Sequence, residues 1–347
     1  MENQNGTNSL NIEIPVYTAK DFESGADVRW CPGCGDYAIL AMVQRTLPGI
    51  QRKKEDYAFV SGIGCSSRFP YYMSSYGFHS IHGRAAAVAS GLKVTRPELS
   101  VWIVTGDGDG LSIGGNHTLH LIRRNIDCVL LLFNNRIYGL TKGQYSPTSE
   151  EGKKTKSTPF GSVDHPLNPL LFALGTEGTF VARTIDRDPK HQQAIYKRAY
   201  DHKGTSFVEI YQNCNIFNDG AFFQYTEKDV KSDNVVNIEH GKPLIFGKDS
   251  NKGIKLDGFI PHVVSLTDGT HSVNDLLIYD ETSFELACIV ARMGDMEGFP
   301  TPIGVFLAKE RLTYEVVAQD QLTAAKNKLG NGDLEKLLNF GETWVVS

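Results

Sequence analysis

Val101-Trp102-Ile103-Val104-Thr105-Gly106-Asp107-Gly108-Asp109 is an apolar run that ends in a glycine and acid turn, and Val129-Leu130-Leu131-Leu132-Phe133-Asn134-Asn135 is a second run that ends in two amides, 28 residues after Asp107. A Gly-Asp-Gly standing alone is often only the turn between a strand and a helix. The amide pair at the end of a second strand changes that reading. A diphosphate held through a divalent hard cation needs oxygen ligands from a carboxylate, an amide and a main-chain carbonyl, and a glycine turn that admits phosphate to the backbone. Asp107, Asn135 and the carbonyl of Ile137 make such a set, with Gly106 and Gly108 as the turn.

Outward from these two runs the chain keeps one rhythm. Residues 57–61, 100–105, 127–133, 178–183 and 205–211 read as strands, and 35–47, 82–95, 114–124, 167–174 and 189–202 as helices. Strands alternating with amphipathic helices predict the α/β class: a doubly wound, mostly parallel sheet with ligands outside the carboxyl ends of its strands. Gly62-Ile63-Gly64-Cys65, the Gly106 turn, Asn134-Asn135 and Asn213-Cys214 each follow a predicted strand, so all four are expected on one rim. Residues 141–166, rich in Lys, Ser, Thr and Pro, are too long for a tight connection and read as a functional loop or a plain surface insertion. Beyond residue 220 the rhythm fades, leaving a helix at 281–293 and a strand at 302–307. The expected division is an arm (1–20), a main domain (21–225) and a C-terminal extension or small subdomain (226–347).

The chain has 347 residues and a formal charge of −5, with no basic stripe interleaved with aromatics, which argues against nucleic acid as a partner. Met1–Leu10 is polar and lacks the layout of a secretory signal, and the apolar run Cys128–Phe133 is far too short to span a bilayer, so the expected location is the cytoplasm, with no membrane contact. In a reducing cytosol, grouped cysteines read as metal or redox ligands. Cys31-Pro-Gly-Cys34 alone fits a dithiol pair or half of a zinc site; Cys65 and Cys214, expected at the same rim, add two further thiols. Cys128 and Cys288 lie in apolar contexts and read as core.

Five motifs carry a resemblance to a known family: Trp-Cys-Pro-Gly-Cys-Gly (30–35), Gly-Ile-Gly-Cys-Ser-Ser (62–67), His-Gly-Arg-Ala (82–85), Gly-Asp-Gly-Asp-Gly (106–110) and Phe-Asn-Asn-Arg-Ile-Tyr-Gly-Leu-Thr-Lys-Gly-Gln (133–144). The Gly-Asp-Gly and Asn pair resembles the thiamine diphosphate motif. In order and content the five together resemble the β subunit of 2-oxoacid:ferredoxin oxidoreductases, most of all the 2-oxoglutarate type, over about residues 15–225.

The resemblance implies thiamine diphosphate contacted by Gly64, Cys65, Ser66, His82, Gly106, Asp107, Gly108, Asp109, Asn135, Ile137, Gly139, Leu140 and Thr141, with Mg²⁺ on Asp107, Asn135 and Ile137. It also implies a 4Fe-4S cluster on Cys31, Cys34, Cys65 and Cys214, for which four thiolates suit the chemistry. Cys214 stands between two asparagines where the family pattern has a proline-flanked cysteine, which makes it the least secure ligand. The implied reaction is coenzyme A-dependent oxidative decarboxylation of 2-oxoglutarate to succinyl-CoA and CO2, or its reversal, with electrons exchanged with ferredoxin. His82 is the candidate for charge stabilisation, with a plain helix-start histidine as the rival reading; His79 carries less weight. Arg68 is placed toward the substrate's distal carboxylate, and Lys142 and Leu140 beside it. The glutamate that thiamine enzymes carry on a pyrimidine-binding domain is missing, implying an α subunit and an assembly of two α and two β chains. Two rivals stay open: an enzyme for pyruvate or a broad set of 2-oxoacids, and a non-enzymatic nucleotide-binding protein stapled by zinc.

Overall fold

The computed structural model describes residues 14–346, so most of the expected N-terminal arm lies outside the described residues. The main sheet contains strands β1 (Tyr57–Ser61), β2 (Tyr76–His79), β3 (Ser100–Gly106), β4 (Cys128–Asn134), β5 (Phe180–Ile185), β6 (Thr205–Tyr211) and β7 (Val235–Ile238). A small antiparallel sheet follows, of β8 (Ile245–Phe246), β9 (Lys252–Asp257) and β10 (Ile260–Ser265), before β11 (Thr301–Ala308) returns to the main one. The eight main strands lie in the order β2-β1-β3-β4-β6-β5-β11-β7. All neighbours are parallel except β11, which runs against β5.

Strands buried on both faces explain the unbroken apolar runs. Along β3 and β4, Val101, Ile103, Leu130 and Leu132 enter one core, while Trp102, Val104, Val129, Leu131 and Phe133 enter the other. The first core takes α2 (Ala85–Thr95), α3 (Gly115–Arg124) and α4 (Pro169–Gly175), with α8 (Phe284–Met293) from later in the chain; the second takes α1 (Asp36–Thr46) and α5 (Pro189–Asp201). Local chemistry sets the helix starts. Asn168 accepts hydrogen bonds from the amides of Leu170 and Leu171, Asp188 from that of His191, and Ser283 from that of Leu286, each followed by a good helical stretch. Asn125 ends α3 in the left-handed region at φ 55°, a conformation asparagine tolerates.

The expected doubly wound sheet is present, but it does not stop at residue 225. After α6 (Phe223–Thr226) and α7 (Lys228–Asn234), β7 and β11 extend the same sheet, and α8 packs on its face. Four-residue β7 and the exposed edge strand β2 carry too little pattern to be read from sequence. Beyond β11, α9 (Tyr314–Leu329) and α10 (Leu334–Leu338) are largely exposed. No helix among the described residues is long and apolar enough to cross a membrane.

Candidate active site

Strands β1, β3, β4 and β6 are adjacent and parallel, so the loops at their carboxyl ends emerge side by side. Every residue named above as a contact of the diphosphate cofactor borders one cavity of about 90 Å³ there. The turn after β3 passes through a π-helical turn (Asp109–Ile113) into α3. Glycines are dictated by packing in this turn and in the loop after β1: a methyl group on Gly108 would stand 2.0 Å from the Tyr138 ring, and one on Gly62 2.0 Å from the Asp109 carboxylate.

Asp107 is buried, and its Oδ2 accepts hydrogen bonds from the hydroxyls of Ser146 (2.5 Å) and Thr148 (2.6 Å). Burial raises its pKa, and those hydroxyls partly offset the effect. A cation beside this carboxylate favours the ionised form, so the site suits a hard metal. Asn135 Oδ1 accepts from the Ile137 amide at 3.1 Å, and the Asn135 carbonyl accepts from the Asn218 side chain at 2.9 Å, which fixes the turn. Between them Arg136 sits in the left-handed region at φ 56°.

Asp109 borders the same cavity and also binds the loops around it. Its Oδ1 accepts from the amides of Ile63 (3.1 Å) and Gly83 (2.7 Å) and pairs with His82 Nδ1 at 2.6 Å, while Oδ2 accepts from Thr105 Oγ1 at 2.7 Å. One buried carboxylate therefore ties three loops together and turns the imidazole so that Nε2 is its free nitrogen. Asp109 borders the cavity as a clamp, and His82 is the group it presents.

The four cysteines named from sequence border a second cavity, of about 240 Å³, together with Arg68, Lys142 and Leu140. Among the described residues, no three His, Cys, Asp or Glu side chains are close enough to share one ion. The thiols instead surround a space. A methyl group on Gly139 would lie 3.6 Å from Cys65 Sγ and 3.6 Å from Cys214 Sγ, so glycine keeps that space open. Burial first, then the Asp36 carboxyl and the neighbouring thiols, push Cys65 up to about 12 and Cys34 in the same direction. Converting such thiols to thiolates needs a compensating positive charge, as a bound cluster or metal provides. The donor set and the open centre fit a multinuclear iron-sulfur group.

The asparagines around Cys214 have a local purpose. Asn215 Nδ2 donates to the Pro32 carbonyl at 2.6 Å, and the Gly35 amide donates to the Asn213 carbonyl at 3.1 Å, so both grip the Cys31–Cys34 turn. Trp30 Nε1 donates to the Cys65 carbonyl at 2.7 Å. Sequence reading missed these supports, and also the Ser146 and Thr148 contacts; only the polar, over-long loop after Asn135 signalled the latter. It also missed Asp36 and Asp186 beneath the cysteines. Burial raises them to about 7 and about 6, and neither oxygen of the Asp36 carboxyl has a hydrogen-bond partner among the described residues.

Residues 62–210 match the family described as thiamine pyrophosphate enzyme, C-terminal TPP binding domain. The chain is 48% identical over 331 residues to 2-oxoglutarate oxidoreductase subunit KorB of Mycobacterium tuberculosis, covering 94% of this chain and 88% of that protein. It belongs to the β subunits of the 2-oxoacid oxidoreductases. The β subunit of 2-oxoacid:ferredoxin oxidoreductase 1 of Aeropyrum pernix is 44% identical over 190 residues, 55% of this chain and 60% of that one. A solved structure described as 2-oxoglutarate:ferredoxin oxidoreductase from Magnetococcus marinus, with 2-oxoglutarate, coenzyme A and succinyl-CoA bound, superposes with a TM-score of 0.74 at 32% identity, covering 96% of this chain and 98% of that one. A subunit of this enzyme family replaces the reading of a non-enzymatic zinc-stapled protein.

Proposed function

We propose that this β subunit binds thiamine diphosphate, Mg²⁺ and a 4Fe-4S cluster, and works in the cytoplasm with an α subunit, as two α and two β chains, to convert 2-oxoglutarate and coenzyme A to succinyl-CoA and CO2 with electrons passed to ferredoxin, or the reverse. One observation carries the reading: the diphosphate cavity and the four-cysteine cavity share the wall formed by Cys65, Gly139 and Leu140. The cofactors supply carbanion chemistry at the 2-oxo carbon and acceptance of single electrons. The chain's own residues arrange the rest. Asp107, Asn135 and the Ile137 carbonyl hold the metal, and the cavity glycines admit the diphosphate. Cys31, Cys34, Cys65 and Cys214 hold the cluster beside it. His82, held at Nδ1 by Asp109, presents Nε2 to the cavity.

Anaerobic iron, zinc and thiamine analysis of the chain purified with its companion subunit tests the reading. The expected result is a brown protein with about four irons per β chain and stoichiometric thiamine diphosphate. Zinc in place of iron, in a colourless preparation, would sink it.

Arg68 borders both the cysteine cavity and a neighbouring cavity of about 460 Å³ that also takes in Arg29 and His79. A guanidinium there matches a distal carboxylate, which favours 2-oxoglutarate over pyruvate. Arg68→Ala is expected to raise KM for 2-oxoglutarate about tenfold or more while moving KM for pyruvate much less. Equal effects on the two acids would return the choice to a pyruvate or broad-specificity enzyme.

A further inference from the structure

A larger cavity, of about 760 Å³, lies apart from the diphosphate and four-cysteine cavities. It opens between the loop that follows Asn135, the start of α4, the end of α8 and the tips of β5 and β6, and its volume is in the range of metabolite sites. Its floor is charged. Arg183 Nε donates to Glu209 Oε2 at 2.7 Å, with both side chains buried, and the Arg183 guanidinium lies 4.7 Å from the Tyr211 ring centre. Arg136 lies 4.9 Å from the Phe222 ring centre and 5.6 Å from that of Tyr211.

The carboxylates around this space are already engaged. Glu209 holds Arg183 and accepts from Asn134 Nδ2, Glu150 pairs with Lys153 at 2.8 Å, and Asp295 accepts from Asn168 Nδ2 at 2.7 Å. The cations are not matched in the same way. Among the described residues, neither the Arg136 nor the Arg292 guanidinium has a hydrogen-bond partner, although both border the cavity. Two guanidinium forks with unused donors, one of them braced on aromatic faces, form an oxyanion-recognition set.

We propose that this cavity is a second ligand site, taking a carboxylate- or phosphate-bearing small molecule on Arg136 and Arg292. It goes beyond the thiamine diphosphate reading and does not rest on it. The site backs onto that cavity: Thr148 borders it, and the same hydroxyl lies 2.6 Å from Asp107 Oδ2 and 2.8 Å from Asn134 Oδ1.

The test is calorimetric titration of the purified holoenzyme, with thiamine diphosphate saturating, using citrate in one arm and inorganic pyrophosphate in the other. Saturable binding of one of them per β chain, with Kd at or below about 1 mM, is expected, and the arm that responds distinguishes carboxylate from phosphate. Arg292→Ala, on the exposed last turn of α8, is expected to weaken that binding about tenfold with basal turnover and thermal unfolding unchanged. Arg136→Gln, which retains the backbone turn, is expected to weaken it likewise. No saturable binding in either arm, or binding that both variants leave intact, would overturn the proposal.

Discussion

Cys65→Ala is expected to abolish electron transfer to ferredoxin in the assembled enzyme and to bleach its brown absorption. The physical reason is that Cys65 stands in the wall common to both cavities, following Gly64, which adopts φ 135°, and held by Trp30 through its carbonyl. No other thiol of the set borders the diphosphate cavity. Alanine leaves the loop's hydrogen bonds intact, so thiamine diphosphate binding is expected to persist. The measurement pairs ferredoxin reduction under anaerobic conditions with electron paramagnetic resonance of the reduced protein. Full activity, with the cluster signal still present, would falsify the assignment of Cys65 as a ligand.

Asp107→Asn is expected to weaken Mg²⁺-dependent binding of thiamine diphosphate by about a hundredfold or more, with a matching loss of turnover at low cofactor. The substitution keeps the size of the side chain and one oxygen for the Ser146 and Thr148 hydroxyls, so it removes charge while leaving packing nearly unchanged. A buried carboxylate already strained toward protonation gains most from an adjacent cation, so losing it costs the metal its only carboxylate in the proposed set. Thermal unfolding of the variant without cofactor is expected to equal or exceed that of the parent, because an uncompensated buried charge is gone. Cofactor affinity unchanged by the substitution, measured by tryptophan quenching, would place the metal elsewhere.

Much of the fold follows from the order of residues alone. β1 and β6 span the predicted residues, and β3 and β4 fall within one residue of prediction, because strands buried on both faces leave an apolar signature that few other structures produce. The shared rim follows too: parallel strands with right-handed crossovers force Gly64, Asp107, Asn135 and Cys214 to the same edge. The extension was harder. β11 reads as a strand over residues 302–307, but nothing local says that it pairs antiparallel with β5, since register between distant segments is set by tertiary burial.

Roles at the site divide in the same way. Residue type and spacing determined which atoms are chemically able to hold a diphosphate and a hard cation, namely Asp107, Asn135 and the glycines, while the four cysteines were assigned to a cluster only through the family resemblance. Tertiary structure alone decided that Asp109 turns inward to clamp Ile63, Gly83 and His82, and that Ser146 and Thr148 return to support Asp107. It also decided that Asn215 pins the Cys31–Cys34 turn from 183 residues away. Strand signals and metal-ligand types are local properties of a chain. The destination of a buried hydrogen bond is not, because it depends on which distant donor happens to be desolvated beside it.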